Sequence, residues 1–390
     1  MNATPTRETV HLVTWRLLDY DGAQPTFGGV QRWVVELAAL LRGRGHPVVV
    51  HQRGNRDFER TIDGGVVVRG WRAAARAFAT PWFNYRVHRA IPAGAPVVYL
   101  AEDVAQPICR RRSVVVQHGI WWDGEYGWWK ARIAEQTAFA AVRRTAATIC
   151  VDTNFINWFR ACWPRAGFDA KLHFVPNFVD PDQFGPQPAT PAAAVEDGGR
   201  TTICFPRRSE PRRGIWLMAD VAPRLAARYP NVDFRFVVGS GYHTEQLRAR
   251  LAASGIADRR WTTEVLPFER MREAYERSAI TVVPTICGEG TSLSVIEAMY
   301  FGSAVVATWV GGLANLVQDG ENGLLVAPLA QPLEAALGRL IADRDLRVRL
   351  GTTAMRSVVG CYGVQRWRDA IAPILCDALR LDTTEAARRA

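Results

Sequence analysis

From Pro284 to Met299 the chain runs Pro-Thr-Ile-Cys-Gly-Glu-Gly-Thr-Ser-Leu-Ser-Val-Ile-Glu-Ala-Met. The pattern predicts a strand ending at Pro284, a loop of small and polar residues, and a helix beginning near Ser292. Unpaired N–H groups at such a helix start favour an anion, and small side chains let a phosphate approach. Glu289 falls in the loop and Glu297 about one turn into the helix. Eight residues apart, the two carboxylates cannot share one helix face, so they should touch different parts of one extended ligand. Carboxylates accept hydrogen bonds from vicinal hydroxyls, which is sugar chemistry. The plainer alternative is a loop charge and a solvated helix residue.

Two further segments carry chemistry. His118 follows the apolar run Val114–Gln117 and precedes Gly119, at a strand's carboxyl end facing a cleft. A neutral imidazole there could bond a sugar hydroxyl or polarise an acceptor, or it could be a satisfied loop histidine. Trp121, Trp122, Trp128 and Trp129 fall within nine residues. They could stack on sugar rings, rest at a lipid interface, or cap the core. Asp123 within that run is a candidate to act on an acceptor.

The elements that must position these groups alternate. Val10–Trp15 reads as a buried strand, Gly28-Gly29 as a turn, Val30–Leu41 as a helix stopped by Gly43 and Gly45, and His46–His51 as the next strand: a βαβ unit. Short β-branched runs recur at 97–100, 114–116, 148–151 and 172–175. Residues 185–200, rich in proline, alanine and glycine, read as a linker. Alternation then restarts, with a strand at 234–238 running into Gly239-Ser240-Gly241. That turn lacks the third glycine of a dinucleotide fingerprint and should shape the chain near a diphosphate. The expected fold is α/β: two Rossmann-like, doubly wound units, with ligands bound between them at the strands' carboxyl ends.

Composition agrees. A chain of 390 residues exceeds one core, which predicts two domains. Apolar residues at 48% and charged residues at 22% exclude disordered and fibrous classes. No run approaches a membrane span, and the first eight residues lack an apolar signal core. Seven scattered cysteines without C-x-x-C argue against a disulfide framework or zinc cage and suit a reducing cytoplasm. Asp-x-Asp occurs three times in unrelated contexts, so no metal is expected. The net charge is +10, with +7 carried by residues 1–190, which suits an anionic partner such as a membrane surface or phosphorylated acceptor. Only Lys130 and Lys171 are lysines, against 48 basic residues in all.

Glu289 to Met299, followed by Gly302, Val305–Thr308, Gly311-Gly312-Leu313 and Asn322–Leu325, resembles the retaining glycosyltransferases of family 4, which have the GT-B fold. Their Glu-x7-Glu element matches Glu289 and Glu297. Gly28-Gly29 resembles their N-terminal glycine pair, and Val175-Pro176-Asn177-Phe178-Val179-Asp180 their Pro-Asn-Gly-Val-Asp segment. The resemblance implies a nucleoside diphosphate sugar donor, with Glu297 on the ribose and Glu289 on the transferred sugar. It places Arg208 and Arg213, the latter where the family has lysine before Gly214, on the diphosphate. It places His118 by the donor sugar and acceptor. Thr291-Ser292 stands where Phe-Gly is common, which puts sugar preference in doubt.

The domains implied are 1–184 for the acceptor, 185–200 as linker and 201–361 for the donor, with the last helix, about 362–381, packing back on the first. The expected function is retaining transfer to a glycan, glycolipid or small-molecule acceptor in bacterial surface polysaccharide or lipopolysaccharide synthesis. The setting is cytoplasmic, peripheral to the inner face of the membrane, with no cofactor and no nucleic acid. Rival readings are an epimerase or nucleotide-sugar hydrolase on the same fold, and a non-catalytic basic glycan-binding module.

Overall fold

The structure, a computed structural model, describes residues 7–26, 28–73, 79–124, 127–239 and 241–381. Ser240 of the glycine turn, Glu125 and Tyr126 of the tryptophan-rich run, and the first six residues lie outside these. The chain forms two compact units: 1–118 with 126–175 and 368–390, and 119–125 with 176–367.

The first unit holds an eight-stranded sheet: β1 (Val10–Val13), β2 (Val48–Gly54), β3 (Phe58–Ile62), β4 (Val66–Arg72), β5 (Val97–Tyr99), β6 (Ser113–Gln117), β7 (Ala147–Cys150) and β8 (Leu172–Phe174). Their order is β3-β4-β2-β1-β5-β6-β7-β8, parallel except for the β3–β4 pair. The central β1, β5, β6 and β7 are buried throughout, as continuous apolar strands covered on both faces should be. The antiparallel hairpin was not anticipated. Its edge strand Phe-Glu-Arg-Thr-Ile shows no apolar alternation, and its turn depends on Gly64 and Gly65 at φ 72° and 70°. Phe58 covers its partner Gly70, where a Cβ would overlap the ring.

His11, His51 and His88 are buried in this unit. His51 Nδ1 accepts from Trp71 Nε1 at 3.1 Å, and its Nε2 lies 3.0 Å from His11 Nδ1. His88 Nε2 lies 3.1 Å from the Tyr99 hydroxyl. Burial, then the Arg69 and Arg110 charges, holds His11 down to about 4; burial, then Arg110, does the same to His88. Burial, then His11, pushes His51 well below its ordinary value. All three are neutral when folded and take protons more readily when unfolded. Their contribution is therefore fully present above about 6.5 and is lost as the pH falls toward 4, by on the order of 3 kcal/mol for each of His11 and His88 at that end. Urea midpoints should fall steadily from pH 7 to 4.5; a flat profile would remove this account.

From Arg368 the last helix (Val364–Ala378) belongs to the first unit. Arg368 pairs with the buried Glu36, and Arg112 donates to the Arg380 carbonyl at 3.0 Å.

The second unit holds a six-stranded parallel sheet: β9 (Thr201–Phe205), β10 (Val232–Val237), β11 (Trp261–Glu264), β12 (Ile280–Val283), β13 (Ala304–Thr308) and β14 (Leu324–Val326), in the order β11-β10-β9-β12-β13-β14. Residues 185–200, expected to be a linker, fall within this unit and are anchored to it midway. Ala192 and Ala193 are buried, their amides bond the Phe301 and Gly302 carbonyls at 2.9 Å, and Arg347, itself buried, donates to the Ala193 carbonyl at 3.0 Å. Small side chains that look like tether in a sequence here permit close backbone approach. Gly351 does the same from the helix Arg344–Tyr362, since a Cβ there would meet Gly302 and Ala193.

No helix among the described residues is long and apolar enough to cross a membrane. None of their His, Cys, Asp and Glu groups could hold a metal ion.

Candidate functional site

The loop after β12 is where the second unit concentrates its charge. Glu289 is 7% exposed, yet it is a carboxylate. Arg207 and Arg213 both pair with its Oε2, the latter at 2.5 Å, and the Thr285 hydroxyl donates to the same oxygen at 2.9 Å. Three donors thus converge on Oε2, and no hydrogen bond to Oε1 is seen among the described residues. Burial alone would raise this carboxyl's pKa, but Arg207 and Arg213 outweigh it and hold Glu289 below its ordinary value. Burial, opposed by Glu289, brings Arg207 down to about 10, so it stays charged at neutral pH. Two guanidinium groups against one carboxylate leave a surplus positive charge in a nearly dry site.

Backbone geometry puts these groups together. Gly214 sits at φ 80°, and a Cβ there would collide with the Pro284 carbonyl, so only glycine lets the Arg213 turn lie against the end of β12. Gly311, at φ 51°, lies as close to the Glu289 carbonyl, which accepts from the Gly312 amide at 3.0 Å. On the other side Gly119, at φ 106°, approaches so near that a Cβ would stand 2.7 Å from the Gly290 nitrogen.

The helix Leu293–Tyr300 begins directly after this loop, with Ser292 at its cap. Ser292 accepts from Arg207 at 2.7 Å, and Ser294 donates to the Pro206 carbonyl at 3.0 Å. Thr291 is fully buried, its hydroxyl accepting from the Asn177 amide at 2.9 Å. Gly290 is buried and Leu293 half-buried. Glu297, at 5% exposure, accepts from the Tyr275 hydroxyl at 2.7 Å. It is not a solvated helix residue.

Not every expected residue joins this cluster. Arg208 has 67% of its side chain exposed and pairs with Glu210 at 3.2 Å rather than with Glu289. Arg207, which the sequence reading passed over, holds the buried place instead. No local signal singles it out, since Arg207 falls in a bend two residues past β9. Gly239 serves a separate turn, its carbonyl accepting from the Thr244 hydroxyl, which in turn lies 2.6 Å from Ser209. Asp123 stands near the Gly288 backbone, and burial raises its pKa.

In the first unit, His118 bonds the Leu100 backbone, and burial outweighs that bond to hold its pKa down to about 4. The imidazole is therefore neutral, and its Nε2 is enclosed with no partner among the described residues. Trp33, fully buried on the helix Gly29–Gly43, meets its ring edge-on at 5.6 Å. Gly28 stands at the cap of that helix and Gly29 opens it, both exposed. The ends of β1 and β6, which flank β5, also carry buried polar atoms without partners among the described residues, Thr14 Oγ1 and Gln117 Nε2. Near them, Trp15 Nε1 donates to Asp103 Oδ1 at 3.0 Å, and Arg53 lies 4.6 Å over the Trp15 ring. Burial, then Glu102, raises the Asp103 pKa. In sequence Trp15 reads only as the end of the first strand, and nothing marks Asp103.

Residues 27–183 match the family described as Glycosyltransferase Family 4, and residues 200–343 match Glycosyl transferases group 1. Along 93% of its length the chain is 26% identical to the GDP-mannose-dependent alpha-(1-6)-phosphatidylinositol monomannoside mannosyltransferase of Mycobacterium tuberculosis, covering 97% of that protein. Among solved structures, sucrose-phosphate synthase from Thermosynechococcus elongatus superposes with a TM-score of 0.80 at 18% identity, over 96% of this chain and all of that one. HepE of Anabaena, solved with UDP-glucose, gives 0.71 at 16% identity, over 95% and 99%. With both halves matched and the two parallel α/β units in place, the chain belongs to the family 4, group 1 glycosyltransferases of the GT-B fold.

Proposed function

We propose that this glycosyltransferase moves a sugar from a nucleoside diphosphate donor to a hydroxyl of a lipid-borne polyol or glycolipid, with retention at the anomeric carbon, in surface glycan synthesis at the inner face of a membrane. The observation that carries the reading is Glu289: an ionised, buried carboxylate with one oxygen saturated by Arg207, Arg213 and Thr285 and the other left for ligand hydroxyls. A carboxylate so arranged accepts from two vicinal hydroxyls without losing its own support.

Roles follow from chemistry. As the glycosidic bond breaks, negative charge grows on the leaving diphosphate, and cations fixed beforehand stabilise it. Arg213 is held in place for this, and Arg208, exposed and only loosely paired, can swing to the phosphates. Amides from Gly290 to Ser294 at the helix start add their partial positive charge. Glu297 takes the ribose hydroxyls. His118, neutral with a free Nε2 lone pair, accepts from a sugar hydroxyl. Attack comes from the face the leaving group occupies: the acceptor oxygen bonds the anomeric carbon, the carbon–phosphate oxygen bond breaks, and the phosphate oxygen takes the acceptor proton. The mannosyltransferase relative, named for a phosphatidylinositol-based acceptor, and the surplus charge of +7 over residues 1–190 support a lipid-borne acceptor.

The test is a screen of nucleotide sugars, GDP-mannose among them, with phosphatidylinositol-type and soluble glycan acceptors, followed by proton NMR of the product linkage. An α donor should give an α product. A β product would remove retention, and consumption of donor without acceptor would point to a hydrolase or epimerase.

A further inference from the structure

The helix Trp128–Arg144 is built the wrong way round for a helix whose outer face meets only water. The side it buries carries small residues, Ala134, Ala138, Ala141 and Val142. In its first two turns the bulky apolar side chains face solvent, Trp128 being 83% exposed, Trp129 52% and Ile133 59%, whereas Phe139 further along packs on Phe159 and Trp163. Ile133 lies one turn beyond Trp129, and Arg132 one turn beyond Trp128, so these groups share one side. Of the tryptophans in this stretch, Trp122 is core at 4% exposure and Trp121 packs edge-on against it. The unused pair is therefore Trp128 and Trp129.

Cations surround that pair. Lys130 lies 5.3 Å over the Trp129 ring, and Arg132 reaches outward with 66% of its side chain exposed, paired with Glu135 at 3.0 Å. Further along, Arg143 and Arg144 border a groove shared with Phe139. Residues 128–171 hold seven basic and three acidic side chains, +4 of the chain's +10. Indole rings prefer the headgroup level of a bilayer, where an apolar body and an N–H can both be satisfied, and Lys and Arg beside them meet anionic lipid phosphates.

We propose that the outer face of this helix, with Trp128, Trp129 and Ile133 as inserted anchors and Lys130 and Arg132 as headgroup contacts, docks the enzyme on an anionic lipid bilayer. This deepens the reading of a lipid-borne acceptor and rests on it for its purpose, though docking needs neither donor nor acceptor.

Vesicle co-sedimentation of the full chain tests it, with phosphatidylcholine alone against phosphatidylcholine mixed with phosphatidylglycerol, in low and high salt. Wild type should bind the anionic vesicles and release much of its bound fraction in high salt. Trp128→Ser with Trp129→Ser should weaken binding at least about tenfold, and Lys130→Glu with Arg132→Glu by a similar factor. Both double variants should keep the wild-type melting temperature and transfer to a water-soluble acceptor. Absence of wild-type binding to anionic vesicles overturns the proposal, as does a tryptophan double variant that binds as well as wild type. Vesicle binding without any detectable transfer would sink the transferase reading and leave this surface standing.

Discussion

Glu289→Gln should lower kcat at least about 100-fold, the scale expected when a preorganised charge at the reacting centre is lost. The substitution keeps the shape and removes the charge. In the folded enzyme Arg207 and Arg213 converge on Oε2 of this carboxylate, and both are largely buried. With an amide in its place, two guanidinium groups face each other without a counter-charge. Leaving buried charge unpaired costs about 3 kcal/mol or more, so the melting temperature should fall as well. The two effects separate by measurement. Excess nucleotide sugar, by supplying phosphates to Arg213, should recover part of the melting temperature but none of the turnover. A variant with wild-type kcat would remove Glu289 from the reaction.

Gly311→Ala should be nearly as severe, through the backbone alone. At φ 51° this residue already lies where side chains are unfavourable, and its Cβ position falls on the Glu289 carbonyl oxygen. The neighbour is main chain held by the Gly312 amide, so it cannot turn aside as a side chain tip would. The loop bearing Glu289 must shift by a few tenths of an ångström or more, and misplacement on that scale disturbs catalytic geometry. A loss on the order of 3 kcal/mol in urea unfolding and at least about tenfold in kcat/KM is expected. Gly43→Ala is the control: it ends a helix with nothing within 4 Å, and should be neutral or slightly stabilising. Equal behaviour of the two variants would show that the loop tolerates the shift.

Much of the architecture was legible in advance because its signals are local. Val10–Val13, Ala304–Thr308 and Leu324–Val326 are buried strands, and buried parallel strands announce themselves as short β-branched runs. The hairpin β3–β4 was not legible, since an exposed edge strand has no apolar face to reveal it. Residues 185–200 misled for a related reason: alanines and prolines look like tether until a partner is known to pack on them.

At the site, sequence determined that Glu289 stands in a loop before a helix and that Glu297 lies eight residues on, because chain spacing and the strand–loop–helix pattern are one-dimensional facts. It could not choose among four arginines between Arg207 and Arg213. That choice depends on which guanidinium the end of β9 turns inward and on the left-handed Gly214 bringing Arg213 against Pro284, contacts across more than 70 residues of chain. Likewise the sequence supplied four tryptophans, and only packing separated Trp122, in the core, from Trp128 in water. Burial is a property of what surrounds a residue, and those surroundings exist only once distant segments have met.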